Sequence, residues 1–271
     1  MSLQLERFAF LGGGHMAQAL IKGLVLGGVQ PQQIHVLDRN ADKCALFRSE
    51  YSVGATHDLK TVLNGATTLI IVVRPNDVKP LLMDIAQLEG PSRRIISCAS
   101  GLTCEQLQAW LNPQQHTIIR AMPNLPASVQ SGITALYADD DVLDQDRVIA
   151  ENLMRSVGSV FWINIEDQLH EITGVSGSGP GYVFRLMDAM TQAAVKLGVP
   201  EAQARMLVVS TFLGSAHLAL AHAEPLSELC QAVCVKGGTT ERGIDVFNRH
   251  DVDGLFDAVL KAVVDRSREL H

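Results

Sequence analysis

Over roughly the first 160 residues, short apolar runs alternate with stretches of helical spacing, and Gly or Pro marks the joints. That alternation predicts strands at Phe8 onward, Ile34 to Leu37, near Ala55-Thr56, Leu69 to Val73, Arg94 to Cys98, His116 to Ala121, Ile133 to Tyr137 and Val160 to Ile163. Helices are predicted at Met16 to Leu26, Ala41 to Tyr51, Asp58 to Asn64, Thr103 to Leu111 and Asp146 to Ser156. Thr103 and Gln106 stand at capping-box spacing, and Gly27-Gly28 closes the first helix. Leu-Ile-Ile-Val-Val at 69 to 73 is apolar on both faces, as strands buried inside a parallel sheet are. The expected architecture is α/β, a doubly wound and mostly parallel sheet. Near Asn164 the alternation stops. Helices follow from Pro180 to Leu197, Glu201 to His222, Pro225 to about Cys234, and after the glycine run at 237. Two domains are therefore expected, residues 1–163 and an all-helical 164–271. The long helix from Glu201 is apolar on more than one side, which predicts burial against another subunit.

The joint between the first strand and first helix is Leu-Gly-Gly-Gly-His-Met-Ala. Gly12, Gly14 and Ala17 fit the Gly-x-Gly-x-x-Gly/Ala frame of Rossmann-type dinucleotide sites. In that frame the first glycine makes the tight turn, the second lets a pyrophosphate approach, and the third position lets helix lie on strand. Asp38 ends the second strand 21 residues beyond Ala17, where a ribose-binding acid belongs. The expected cofactor-binding set is Gly12, Gly13, Gly14, His15 and Met16, with Asp38, Arg39 and Asn40 at the second strand end. Later strand ends add Val73, Arg74 and Pro75, then Cys98, Ala99 and Ser100, and Asn124 in the Pro-Asn-Leu-Pro loop. Arg74-Pro75 reads equally as a plain turn, and Asn124 as a loop-shaping amide. Asp38 accepting from a free ribose hydroxyl would favour NADH. Arg39 meeting a 2′-phosphate would favour NADPH, the preferred reading, with NADH possible.

Bulk properties narrow the chemistry. The 271 residues are 47% hydrophobic and 19% charged, enough core to fold without staples. A net charge of -7 without any Lys/Arg block speaks against nucleic acid. Five cysteines with no Cys-x-x-Cys pair disfavour a disulfide framework and a zinc ribbon and suit a reduced, cytoplasmic setting. Nine scattered histidines, with His217 and His222 five apart, present no metal-ligand spacing, so no metal is expected. Glu6 and Arg7 stand where a signal peptide would be apolar, and the longest clean apolar run is too short to span a membrane, so no membrane partner is expected.

A second glycine-rich stretch, Val-Lys-Gly-Gly-Thr-Thr-Glu-Arg-Gly at 235 to 243, leads into a helix. Successive glycine N–H groups at a helix start suit a small carboxylate, although a threonine there could equally be only an N-cap. Ser176 to Tyr182 reads either as a flexible joint or as backbone packed close to a ligand or helix.

Taken together, Gly-Gly-Gly-His-Met-Ala, Val-Arg-Pro at 73 to 75, Arg-Ala-Met-Pro-Asn-Leu-Pro at 120 to 126, Thr-Gly-Val-Ser-Gly-Ser-Gly-Pro-Gly-Tyr at 173 to 182 and Gly-Gly-Thr-Thr at 237 to 240 resemble pyrroline-5-carboxylate reductase across nearly the whole chain. The resemblance implies hydride transfer from NAD(P)H to the C=N bond of 1-pyrroline-5-carboxylate, giving L-proline in the final step of proline biosynthesis. It also implies a homodimer or larger homo-oligomer formed by the C-terminal helices, with the active site between the two domains. By position it implies that Gly237, Gly238 and Thr239 hold the substrate carboxylate, that Thr240 is the catalytic residue bonding the ring nitrogen, and that Glu166 lies near the substrate. Val235-Lys236 departs from the Ser-Pro common in that family. This departure keeps two alternatives open: reduction of a related cyclic imine, and a non-catalytic NAD(P)-binding regulatory paralogue.

Overall fold

A computed structural model describes residues 3–88, 90–111 and 116–269. The chain divides into two compact units, residues 1–178 with 263–271, and residues 179–262.

The first unit is built on one sheet of eight strands: β1 (Phe8–Leu11), β2 (Ile34–Leu37), β3 (Gly54–Thr56), β4 (Thr68–Ile71), β5 (Arg93–Ser97), β6 (His116–Met122), β7 (Gly132–Tyr137) and β8 (Gly158–Trp162). Their order is β3-β2-β1-β4-β5-β6-β7-β8. Strands β1 to β6 run parallel, with Phe8 opposite both Ile34 and Thr68, while β7 runs antiparallel to β6 and β8 follows β7. The order reverses at β1, which separates β2 from β4, and in open α/β sheets such a switch point is where ligands bind.

Alternation along each strand divides the core between the two faces. Phe8 and Phe10 join Leu20, Leu24, Phe47 and Leu153 on one side, while Ala9 and Leu11 join Val78, Leu82 and Leu107 on the other. Helices α1 (His15–Leu26), α2 (Ala41–Tyr51), α3 (Leu59–Leu63), α4 (Pro75–Ala86), α5 (Cys104–Ala109) and α6 (Asp144–Arg155) cover the sheet. The Thr103 hydroxyl and Gln106 amide cap α5 reciprocally, as their spacing predicts. Helix α4 was not among the sequence expectations, where Arg74-Pro75 read as a cofactor-bordering strand end or a plain turn. Pro75 instead takes the first helical position, where its missing N–H costs nothing. The fourth strand also stops at Ile71, short of Val73.

Helix α7 (Gln168–Ile172) continues into a π-helical turn at Thr173–Gly177 and packs within the sheet unit, Leu169 lying against Met122 and Ala135. The second unit is helical: α8 (Gly179–Lys196), α9 (Glu201–Ala221), α10 (Leu226–Val233), α11 (Thr239–Arg249) and α12 (Val252–Arg268), whose last turns belong to the first unit.

Charge inside the first unit converges on Arg94. Its guanidinium donates to Glu6 at 3.0 Å, Thr68 at 2.6 Å and Asp146 at 2.5 Å, and its side chain is only 9% exposed. Burial pushes the Glu6 carboxyl up, but the Thr67 hydroxyl, Arg94 and the Thr68 hydroxyl outweigh it and hold the group below its ordinary 4.5. Removing the cation strands the half-buried Glu6 and the buried Asp146 carboxylates, so Arg94→Met should cost about 3–5 kcal/mol in urea unfolding. A depressed carboxyl contributes stability above its unfolded value and loses it as pH falls. The wild-type urea midpoint should therefore drop on acidification below pH 4.5, and drop less steeply in Arg94→Met.

Candidate functional site

The glycine turn at the switch point is fixed by its neighbours. Gly12 has φ +113° and donates its N–H to the Leu37 carbonyl at 2.9 Å. A Cβ there would lie 2.9 Å from Val73 Cγ1 and 3.0 Å from the Val72 carbonyl oxygen, so neither the dihedral nor the space admits a side chain. Gly13 N–H donates to the Asp38 carboxylate at 2.8 Å, and a Cβ on Gly13 would strike that carboxylate and the Phe47 ring. Gly14 is the N-cap of α1 and has no side chain to satisfy the first N–H groups of the helix, which stay open to an anion. Ala17 is fully buried beneath them, His15 is exposed and Met16 half-buried.

Asp38 does more than wait for a ribose. Its second oxygen accepts from Asn40 N–H at 2.8 Å, and Lys43 Nζ stands 3.5 Å away. Asn40 in turn caps α2, its side chain accepting from the N–H groups of Asp42 and Lys43. Arg39 points outward, 90% exposed and 3.5 Å from Asp77 in the first turn of α4, which leaves its guanidinium accessible to an anion.

Because β1, β2, β4, β5 and β6 are parallel, residues 12–16, 38–40, 73–75, 98–100 and Asn124 all follow strand ends at one edge of the sheet. Arg74 is the exposed N-cap of α4 beside Pro75, and Val73 is half-buried against the glycine turn. Ala99 is buried, and Ser100 leads to Gly101 at φ +83°. Burial pushes the Cys98 thiol up to about 12, so it is a neutral wall rather than a nucleophile. Asn124 is 8% exposed, and both ends of its amide are engaged. Oδ1 accepts from Ile133 N–H at 3.0 Å, and Nδ2 donates to the Ser176 carbonyl at 3.2 Å. It thus ties the Pro-Asn-Leu-Pro loop to β7 and to the Ser-Gly-Ser-Gly segment.

Glu166 is held by two donors. Its Oε1 accepts from Cys104 N–H at 2.6 Å and from Arg120 at 3.1 Å, an arginine whose side chain is 2% exposed. It lines a cleft of about 740 Å³ with Glu105, Gln108, His116 and Asp139. Burial and the charges of Glu166 and Asp139 push the Cys104 thiol up as well. Arg120 falls within the 120 to 126 motif, but nothing in the spacing of the two residues identifies this pair.

In the second unit, Gly237 has φ +75° and Gly238 is the N-cap of α11. Thr239 is therefore the first helical residue rather than the cap. A Cβ on Gly238 would lie 2.8 Å from the Val235 carbonyl oxygen, which accepts the Gly238 N–H at 2.8 Å. Gly237 N–H is also engaged, donating to the Glu241 carboxylate at 2.7 Å. The N–H groups of Thr239 and Thr240 begin the helix without a partner among the described residues, and the Thr240 hydroxyl is likewise unpartnered there. No cluster of three or more His, Cys, Asp or Glu side chains suited to a metal occurs among the described residues.

Residues 166–270 match the family model for pyrroline-5-carboxylate reductase dimerisation, and residues 7–101 match that for NADP oxidoreductase, coenzyme F420-dependent. The chain is 36% identical over 268 residues to a pyrroline-5-carboxylate reductase of Pseudomonas aeruginosa, covering 99% of this chain and 98% of that one. A solved pyrroline-5-carboxylate reductase from Coxiella burnetii is 36% identical with a TM-score of 0.87, covering 98% of each chain. The NADP-bound pyrroline carboxylate reductase of Plasmodium falciparum, 20% identical, shares the fold at a TM-score of 0.90 over 99% of each chain. With full-length similarity to such relatives and every motif in chain order, the chain belongs to the pyrroline-5-carboxylate reductase family.

Proposed function

We propose that this chain reduces 1-pyrroline-5-carboxylate to L-proline with NAD(P)H. The observation that carries the proposal is the start of α11, where a glycine N-cap that tolerates no side chain presents the N–H groups of Thr239 and Thr240 to a small carboxylate. The glycine turn of the first unit fits a dinucleotide by the same test. A Cβ at Gly12 would fill it, and Gly14 leaves the α1 donors open for a pyrophosphate. A dihydronicotinamide bound there would supply the hydride. Gly14 and the open N–H groups of α1 would hold its pyrophosphate, while Asp38, paired with the Gly13 N–H, holds the turn in shape and would present its edge to the ribose. Val73, Pro75, Ala99 and Ser100 complete the wall at the strand ends.

A cyclic imine protonates readily, so the ring carbon accepts hydride without a strong protein acid, and neither buried thiol offers nucleophilic catalysis. Thr240 orients the ring nitrogen through its free hydroxyl, and Thr239 with the helix start holds the carboxylate. Glu166 and Asn124 serve as positioning residues, the first pinning α5 to β6 and the second pinning the loop after β6. The Val235-Lys236 departure favours testing related cyclic imines beside the main substrate.

The proposal includes a homodimer, in a cytoplasmic setting that five unpaired cysteines suit. Of the 21 residues of α9, only Ala204 and Val208 are buried, while Leu207 and Leu213 are more than half exposed. By length and composition α9 could also cross a membrane. Its place inside the matched dimerisation segment supports a second copy as its cover. Light scattering should return at least twice the chain mass.

Two substitutions test the assignments. Removing a hydrogen bond to a charged group costs about 1.5–3 kcal/mol. Thr240→Ala should therefore lower the pyrroline-5-carboxylate reduction rate roughly 10- to 150-fold, followed at the nicotinamide absorbance band. Unchanged turnover and affinity would remove Thr240 from the site. Arg39→Ala should weaken kcat/KM for NADPH by roughly the same factor and leave NADH nearly untouched, because only NADPH carries the 2′-phosphate. Equal losses with both cofactors would make Arg39 a bystander.

A further inference from the structure

The nest at residues 237–240 already holds a carboxylate belonging to the chain. Glu241 is the third residue of α11, and its Oε2 accepts the Gly237 N–H at 2.7 Å. In an ordinary capping box the third helical residue returns to the N-cap N–H. Here the N-cap N–H of Gly238 is engaged with the Val235 carbonyl at 2.8 Å. Glu241 therefore reaches one residue further back, to an N–H that the left-handed turn at Gly237 (φ +75°) presents. The positive end of α11 favours any anion at this place, whether from the side chain or from a ligand.

Resting on the reading that this nest takes the substrate carboxylate, we propose that Glu241 is an internal competitor for it and sets the affinity for acidic ligands. A substrate carboxylate on the Thr239 and Thr240 N–H groups stands beside the Glu241 carboxylate on the neighbouring Gly237 N–H, and like charges in one nest repel. The substrate displaces the Glu241 side chain, which is only half-buried and free to swing into solvent. As the product leaves, Glu241 closes on the nest again and keeps the Gly237 N–H paired. The cost falls on ligands that bear a carboxylate and spares neutral ones. That sets Glu241 apart from a helix cap that merely stabilises α11.

The test compares the full-length wild type with Glu241→Ala and Glu241→Gln. It reads KM and kcat for 1-pyrroline-5-carboxylate, and the binding of L-proline and of uncharged-carboxamide L-prolinamide by calorimetry. In Glu241→Ala the KM and the proline dissociation constant should both fall about two- to fivefold, the range a charge at a helix start commands, and prolinamide binding should not change. Glu241→Gln keeps an oxygen for Gly237 N–H but loses the charge, so it should show a smaller fall in the same two constants. It also preserves the test if the alanine variant folds poorly. Unchanged or raised KM and proline constants would reduce Glu241 to a helix cap, and parallel tightening of proline and prolinamide would overturn the charge competition. If the wild type fails to reduce the imine, the proposed function falls, whereas the proline and prolinamide constants still decide the role of Glu241.

Discussion

The first unit depends on one close approach, the packing of the Gly12 backbone against the Val72 carbonyl and the Val73 side chain where β1 parts from β4. No atom beyond hydrogen fits there, and the positive φ of Gly12 sends the chain straight into α1. From this constraint follow the burial of Gly13 against Asp38 and Phe47, the opening of the α1 donors to solvent and the alignment of later strand ends around them. Asp38 is central to the arrangement. One carboxylate closes the turn through Gly13 and, through Asn40, orders the start of α2. A residue read from sequence as a ligand contact is thus first a part of the frame that makes ligand contact possible.

The second unit repeats the device on a smaller scale. Gly238, crowded by the Val235 carbonyl, starts α11 without a side-chain cap and leaves the first helical N–H groups open. Both cradles are made of backbone. Backbone donors cannot change their protonation or rotamer, which suits them to gripping an invariant phosphate or carboxylate while side chains such as Arg39 and Thr240 supply selectivity. Lys236, which has no ring, leaves φ unrestrained before Gly237, and Gly237 itself takes the left-handed conformation at φ +75°.

Polar groups buried in the first unit act as struts. Arg94 joins Glu6 in the segment before β1 to β4 and α6, Arg120 with Glu166 joins β6 to the start of α5 and to the segment ahead of α7, and Asn124 joins the loop after β6 to β7 and to the π-helical turn. Each strut has a polar partner within hydrogen-bond distance, as burial of a charge or amide demands. Each also spans 9 to 88 positions along the chain, which is why none of them can be read from local spacing.

The sequence by itself determined what depends on local periodicity and steric freedom. The alternation of apolar runs with helical stretches placed β2 and α2 at the residues observed, Thr103 and Gln106 declared their capping box, and the glycine frame at 12 to 17 announced a turn that only glycine can make. Family resemblance rested on the same kind of local motif, and full-length similarity bears it out. Tertiary structure alone decided what each polar group faces. It turned β7 antiparallel to β6, kept Pro75 inside a helix, set Glu166 on Arg120 and seated Glu241 in the carboxylate nest. The reason is physical: hydrophobic spacing selects which face of an element is buried, but the partner of a buried charge is chosen by whichever strand or helix the fold brings alongside it.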